Sequence, residues 1–202
     1  MKGAIWLRSA FAEPPELVRA AERTGQAEVV EEADLTSEVL AGHRGLITGG
    51  QLDQDRALTW APALRDWLET GGRWLFNGHM VRPILPVAHP YIPMPSQRRA
   101  DFVQTRLAPH PILEGMDPAL LEANRGVAGF YGRGHNPLPP GALPITGLGA
   151  DRVPVDWHWE IGEGAVFSHA GNDLWGAGLE HGLGPVLLQR ALAWAAGALP
   201  CA

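Results

Sequence analysis

Residues 71–79 read Gly-Gly-Arg-Trp-Leu-Phe-Asn-Gly-His and carry the clearest strand and turn signals of the chain. Gly71 follows a segment with helical spacing and is a natural end for a helix. The apolar run Trp74–Phe76 is typical of a buried strand in a parallel sheet, and Asn77-Gly78 is a turn signal. Ligands of open α/β sheets bind where strands end, so the turn that presents His79 is the first place to look for chemistry. The stretch contains no Cys, Ser or Thr.

The composition is that of a globular protein large enough to form one domain with its own core. The chain has 202 residues, 46% of them hydrophobic, and a formal net charge of -6. The negative charge argues against a nucleic-acid partner, and no apolar run approaches the roughly 18 residues of a membrane helix. The only cysteine, Cys201, excludes a disulfide within the chain and a Cys-rich metal site. We expect a cytoplasmic location, with residues 4–7 forming a first strand and not part of a signal peptide.

Strand and helix signals alternate along the first third of the chain, which predicts βαβ units and a mostly parallel sheet. The predicted strands are 4–7, 27–30, 45–48 and 73–76, and the predicted helices are 14–23, 36–41 and 53–70. Because Pro62 lacks a backbone N–H group, we expect a break or a fresh helix start near Ala61.

A proline-rich region then interrupts this pattern, from about residue 80 to 155. It predicts extended segments and loops inserted over one end of the sheet, with strands near 102–107, 142–146 and 153–159. The regular pattern returns with a strand at 164–168 and an apolar helix at 186–196. We therefore expect residues 1–202 to form a single α/β domain with an insertion at about 80–155.

Four segments, in this order, resemble the ThuA-like (trehalose-utilisation type) branch of the class I glutamine amidotransferase-like fold. They are the strand and glycine turn Leu46–Gln51, the helix and elbow strand Leu64–His79, the segment His110–Met116, and the closing strand and helix Glu160–Phe167 and Leu188–Gly197. The resemblance implies a three-layer, flavodoxin-like α/β fold. It also implies a ligand site at the carboxyl ends of the strands.

The departures from the family pattern bear on the reaction. The amidotransferase elbow has the form Cys-x-Gly-His, and the same register here places Phe76 where the nucleophile would stand. A phenyl ring cannot attack a carbonyl carbon, so glutamine hydrolysis by that route is excluded. The resemblance also places His169 at the position of the triad histidine, but Gly171 occupies the position of its partner acid.

His79 and His169 are the predicted catalytic residues, because an imidazole at a strand end can act as a general base or a proton donor. The alternative is that each only bonds loop backbone. Gly49, Gly50 and Gln51 form a turn whose N–H groups could approach a ligand oxygen. With no nucleophile beside it, this turn is favoured as an ordinary connection with a lesser role in ligand binding.

The remaining predicted ligand-binding residues carry amide, carboxyl or indole groups: Asn77, Asn172, Asp173 and Trp175. Amides and carboxylates bond sugar hydroxyls, and an indole can stack on a sugar face. The alternative for residues 172–175 is an Asx-type turn before a helix.

Two further stretches carry polar and aromatic residues together. In residues 156–160, alternation places Asp156, His158 and Glu160 on one face and two tryptophans on the other. That face could bind a metal or transfer protons, but a solvated outer face is favoured. Phe130–Asn136 could be a lid that carries Tyr131 or His135 into the pocket, although a plain loop is favoured.

Three functional hypotheses follow. The first is a small-molecule protein that binds or transforms a carbohydrate-like ligand without a covalent cysteine intermediate. The second is a metal-dependent hydrolase with ligands from His79, His135 and His169. The third is a non-catalytic scaffold or assembly protein. No cofactor is identified by the sequence, and a homo-oligomer remains open.

Overall fold

A computed structural model describes residues 1–9, 13–86 and 90–202 of the chain. These residues contain twelve strands: β1 (Lys2–Arg8), β2 (Ala27–Glu31), β3 (His43–Thr48), β4 (Arg73–Asn77), β5 (Ile92–Pro93), β6 (Gln104–Arg106), β7 (Ala123–Asn124), β8 (Val127–Ala128), β9 (Gly134–His135), β10 (Leu143–Leu148), β11 (Val153–Ile161) and β12 (Gly164–His169). The α-helices are α1 (Glu16–Arg23), α2 (Ser37–Ala41), α3 (Gln54–Glu69) and α4 (Leu183–Ala195). Short 3₁₀ helices cover Glu32–Asp34, Arg99–Phe102, Pro111–Leu113, Pro118–Leu120, Leu174–Gly176 and Leu179–His181.

Eight strands form one central sheet in the order β2-β1-β3-β4-β12-β11-β10-β6. The first five run parallel to one another, and β11, β10 and β6 continue the sheet in antiparallel pairs. This mostly parallel arrangement confirms the predicted α/β fold class. The proline-rich region differs from its prediction, because β6, β10 and the start of β11 extend the sheet itself as well as supplying loops.

Helices cover both faces of the sheet, and each face has its own hydrophobic core. Alternation along β1 sends Ala4 and Trp6 toward the core that contains α1 and α4, and Ile5 and Leu7 toward the core that contains α2 and α3. The result is the three-layer architecture that the resemblance implied. No helix in the described part of the chain is both long and apolar enough to cross a membrane.

Helix α3 runs unbroken through Pro62, so the break expected near Ala61 is wrong. Pro62 is exposed, as is Leu58 one turn earlier, whose carbonyl would otherwise accept the missing N–H bond. Water can satisfy a carbonyl on the solvent side of a helix, and the buried side of α3 keeps its packing against the sheet. The proline therefore weakens this helix without ending it.

Candidate functional site

A cavity of about 700 Å³ lies at the carboxyl edge of the parallel strands. Because β3, β4 and β12 are parallel, the turns that follow them meet at this edge. The cavity is lined by Gly50, Gln51, Leu52, Gln54, Gly78, His79, Val81, Phe130, Gly171, Asn172, Asp173, Trp175 and Gly176. Six of the nine predicted site residues are in this lining: Gly50, Gln51, His79, Asn172, Asp173 and Trp175.

Two glycine turns approach each other closely at the cavity. Gly78 has a φ of +108°, a conformation that favours glycine, and a Cβ built on it would lie 2.9 Å from the Cα of Gly50. The N–H of Gly78 donates to the carbonyl of His169 at 2.9 Å. The elbow after β4 therefore fits between the turn after β3 and the end of β12.

Asn77 and Gly49 do not line this cavity. The Asn77 side chain is buried, where its Nδ2 donates to the carbonyl of Thr48 at 3.0 Å and its Oδ1 accepts from the N–H of Leu174 at 3.0 Å. These bonds join the ends of three chain segments around the site. Gly49 lies in a neighbouring cavity of about 120 Å³ that shares Gln51 and other residues with the larger one.

Asn136 ties the insertion to the floor of the site, and no spacing in the sequence pointed to it. Its Nδ2 donates to the carbonyl of Gly78 at 3.0 Å and to the Ser168 hydroxyl at 3.1 Å. Its Oδ1 accepts from the N–H of Met80 at 2.9 Å, and its carbonyl accepts from the indole of Trp157 at 2.8 Å. A buried amide with all these partners holds the elbow and β12 in register.

His79 stacks on Tyr91, with ring centroids 3.7 Å apart and an interplanar angle of 14°. The imidazole remains partly exposed to the cavity. Partial burial lowers the pKa of His79, and the neighbouring His169 lowers it further. A neutral imidazole on the cavity wall can accept a proton near neutral pH.

Asp173 faces His79 in the lining of the same cavity. Its Oδ1 accepts from the N–H of Gly50 at 2.7 Å, which fixes the carboxyl group on the glycine turn. Burial raises the pKa of Asp173, and the bond from Gly50 and the charge of His169 offset only part of that rise. The cavity thus holds an acid with a raised pKa and a base with a lowered one, a pattern found where side chains exchange protons with ligands.

His169 lies beneath the cavity and pairs with Asp156. These residues stand opposite each other in the antiparallel pair β11–β12, and the His169 Nδ1 lies 2.6 Å from the Asp156 Oδ1. The hydroxyl of Tyr131 donates to the Asp156 Oδ2 at 2.6 Å. All three side chains are buried, with exposed fractions of 1% or less.

The favoured prediction of a solvated outer face at residues 156–160 is wrong for Asp156 and His158. The predicted alternation itself is correct, because Trp157 packs on the α2–α3 face while Asp156 and His158 point to the other face. That other face is covered by α4 and its neighbours, so both polar side chains are buried and only Glu160 is exposed. A sheet with helices on both sides has no solvated face at its centre.

Asp156 carries its charge in this buried position. Burial alone would raise its pKa, but the His169 imidazole and hydrogen bonds from His169, Thr146 and Tyr131 together hold it below its usual value. Burial and the adjacent carboxylate raise the pKa of Tyr131 well above its usual value, so the phenol stays neutral and donates. The stretch Phe130–Asn136, favoured as a plain loop, therefore supplies a hydrogen bond inside the site.

Gly171 stands where the resemblance placed an acid, and no side chain fits there. A Cβ on Gly171 would lie 1.7 Å from the carbonyl oxygen of Tyr131 and 2.6 Å from the His169 Nε2. The carboxylate that pairs with His169 comes instead from the neighbouring strand, thirteen residues earlier in the chain. Only the register of β11 against β12 reveals this partner.

The proposed metal ligands do not come together. Within residues 1–9, 13–86 and 90–202, no group of three or more His, Cys, Asp or Glu side chains is placed to hold a metal ion. His135 is half-buried on strand β9, which pairs with β5 in a separate two-stranded sheet. The geometry gives the metal-dependent hydrolase no support from the described residues.

Known structures share the fold of this chain at low sequence identity. The cytoplasmic protein STM3548 from Salmonella typhimurium superposes with a TM-score of 0.62 and 10% identity, covering 95% of this chain and 98% of that one. The mmIFT52 N-terminal domain gives 0.60 and 12%, with 96% of each chain covered. A GMP synthase-like protein from Thermoplasma acidophilum gives 0.57 and 11%, covering 98% of this chain and 96% of that one.

These likenesses establish a fold of the flavodoxin-like, glutamine amidotransferase-like type. No protein-family model matches the sequence. No curated protein sequence matches it either.

Proposed function

We propose that this protein belongs to the ThuA-like branch of its fold and binds and transforms a small carbohydrate-like ligand in the cavity at the strand ends. The observation that carries the proposal is the convergence of His79, Asp173 and Trp175 in one cavity of about 700 Å³, with His169 beneath its floor. A cavity of that volume suits a small organic ligand.

The lining matches a polyhydroxylated ligand better than an apolar or strongly charged one. Gln51, Gln54 and Asn172 bring side-chain amides to the wall, and Asp173 brings a carboxyl group. Amides and carboxyls both bond hydroxyl groups, while the half-buried indole of Trp175 offers a flat surface for a sugar ring. No lysine or arginine is among the described lining residues, so an anionic ligand has no positive partner there.

The chemistry we propose is proton transfer, with His79 and His169 as the predicted catalytic residues. Phe76 is fully buried in the α2–α3 core, and the described lining contains no Cys, Ser, Thr or Lys. Cys201 packs near Arg73, at the opposite edge of the sheet from the cavity. Acid–base catalysis by His79 and Asp173 is therefore favoured over a covalent intermediate.

Ligand binding to purified protein tests the proposal. We expect a mono- or disaccharide from a sugar panel to bind in calorimetry, and we expect Trp175→Ala and His79→Ala to weaken binding at least about tenfold, equivalent to about 1.4 kcal/mol. His181→Ala is the matched control, because His181 is exposed and lies outside the cavity.

The proposal fails if no sugar of the panel binds. It also fails if His79→Ala and His181→Ala bind the ligand equally well while both variants remain folded.

A further inference from the structure

Asp156, His169 and Tyr131 form a buried cluster whose hydrogen bonds determine which nitrogen of His169 carries a proton. The ionised Asp156 can only accept hydrogen bonds, and it accepts one at each oxygen, from the Tyr131 hydroxyl and from His169 Nδ1. His169 must therefore hold a proton on Nδ1. In the neutral imidazole, this leaves Nε2 without a proton and able to accept one.

The other nitrogen of His169 lies at the floor of the cavity. Nε2 is buried, and no described residue forms a hydrogen bond with it. It lies 2.6 Å from the place a Cβ on Gly171 would take, and Gly171 is part of the cavity wall. A buried nitrogen without a partner at the edge of a cavity is costly to keep, which suggests that it acts on something bound there.

Gly132 and Gly171 form the thin layer between Nε2 and the cavity region. They face each other in an isolated β-bridge, and both line a smaller depression of about 240 Å³ that shares His79 and Asn172 with the main cavity. Glycines on both strands bring backbone, and not side chains, between His169 and a ligand. A hydroxyl group at this point comes closer to Nε2 than any larger residue would permit.

We propose that Asp156 is a positioning residue that fixes His169 with an unprotonated Nε2 at the cavity floor, where Nε2 takes a proton from a hydroxyl group of the ligand. This rests on the proposed function for the identity of the ligand. In the step, the O–H bond of the ligand breaks, an N–H bond forms at Nε2, and the electron pair stays on the ligand oxygen. Asp156 stabilises the imidazolium that results, as an oriented carboxylate does in acyl-transfer triads.

The tautomer of His169 tests this directly, without any ligand. Nitrogen-15 NMR of histidine-labelled protein, above the pH at which His169 titrates, is expected to show a protonated Nδ1 and an unprotonated Nε2. The His169 signals are identified by their loss in His169→Gln. A protonated Nε2 in the native protein would overturn the proposal.

Two variants separate the effect of Asp156 from a general disturbance of the cluster. In Asp156→Asn, the Tyr131 hydroxyl keeps the amide oxygen, so the amide N–H₂ group faces Nδ1 and the proton moves to Nε2. In Tyr131→Phe, Asp156 still accepts from Nδ1 and the tautomer stays unchanged. If folded Asp156→Asn keeps the native tautomer, or if Tyr131→Phe changes it, Asp156 does not set the proton position.

Chemical modification tests whether Nε2 can be reached. We expect diethyl pyrocarbonate to modify His169 in the native protein, more slowly than the exposed His181, with the modified peptides identified by mass spectrometry. Complete protection of His169 would overturn the proposal. Both measurements are made on ligand-free protein, so they can succeed even if the sugar panel finds no ligand, and failure of one proposal is distinguishable from failure of the other.

Discussion

The polar side chains around the cavity differ in whether their hydrogen bonds are already made. Asn77 and Asn136 spend their amide groups on backbone and on Ser168, so they hold the site together. Asp173 keeps one carboxyl oxygen beyond its bond to Gly50, and His79 presents its ring to the cavity. Binding capacity at this site therefore belongs to the second group, while the first group sets its shape.

Gly171 is the residue at which the shape of the site is most sensitive to substitution. We expect Gly171→Ala to lower the free energy of unfolding by at least about 2 kcal/mol, because its Cβ would meet the backbone of Tyr131, which cannot move aside as a side chain does. Urea denaturation measures the effect. Gly42→Ala is the matched control, since Gly42 has a helical φ of -73° and only ordinary contacts at 3.4 Å and beyond.

The control variant is expected to stay within about 0.5 kcal/mol of the native protein. Equal unfolding midpoints for Gly171→Ala and Gly42→Ala would contradict the close packing seen at Gly171.

At the scale of single elements, tertiary packing overrides local preference most clearly in α3. Buried Trp60, Leu64 and Trp67 hold this helix against the sheet, and the side chain of Asp53 caps its start by accepting from the N–H of Arg56 at 3.1 Å. Pro62 disfavours a helix locally by about 3 kcal/mol relative to alanine. The apolar contacts on both sides of the proline outweigh that cost, so the helix continues.

Replacing the proline should therefore stabilise the protein. We expect Pro62→Ala to raise the free energy of unfolding by about 1–2 kcal/mol, because the Leu58 carbonyl regains a donor while the unfolded chain gains some flexibility. Thermal unfolding followed by circular dichroism measures the change. A melting temperature equal to or below that of the native protein would show that the helix has already adapted to the proline.

At the scale of the whole molecule, covering both faces of the sheet buries polar groups that an open sheet would leave in water. His110 and His158 illustrate this, with the His110 Nε2 3.3 Å from the His158 Nδ1 and both rings packed around Trp194. Burial, with His158 as a second cause, lowers the pKa of His110 from 6.5 to about 3. Burial also lowers the pKa of His158.

This burial makes stability dependent on pH. Between the unfolded pKa of 6.5 and the folded value of about 3, the unfolded chain binds the His110 proton and the folded protein does not. The contribution is therefore fully present above 6.5 and is lost as the pH falls toward 3, at a slope approaching about 1.4 kcal/mol per pH unit for one histidine.

His110→Asn removes this titration while keeping an oxygen that can accept from the N–H of Ile112, as the His110 Nδ1 does. We expect its free energy of unfolding, measured with urea between about pH 6.5 and 4.5, to fall less steeply than that of the native protein. His181→Asn, at an exposed site, should keep the native slope. Identical slopes for all three proteins would show that His110 is not held neutral in the fold.

The sequence alone predicted the order of strands and helices, the elbow at Phe76–His79 and the absence of a nucleophile there, because these depend on local periodicity, turn residues and residue identity. It also identified six residues that line the cavity, since parallel strands bring their ends together. Only the tertiary structure decided that Asp156 pairs with His169 and that its face of β11 is buried. Strand register joins residues from separate segments, and the covering of a strand face depends on which helix packs there, so neither can be read from the strand itself.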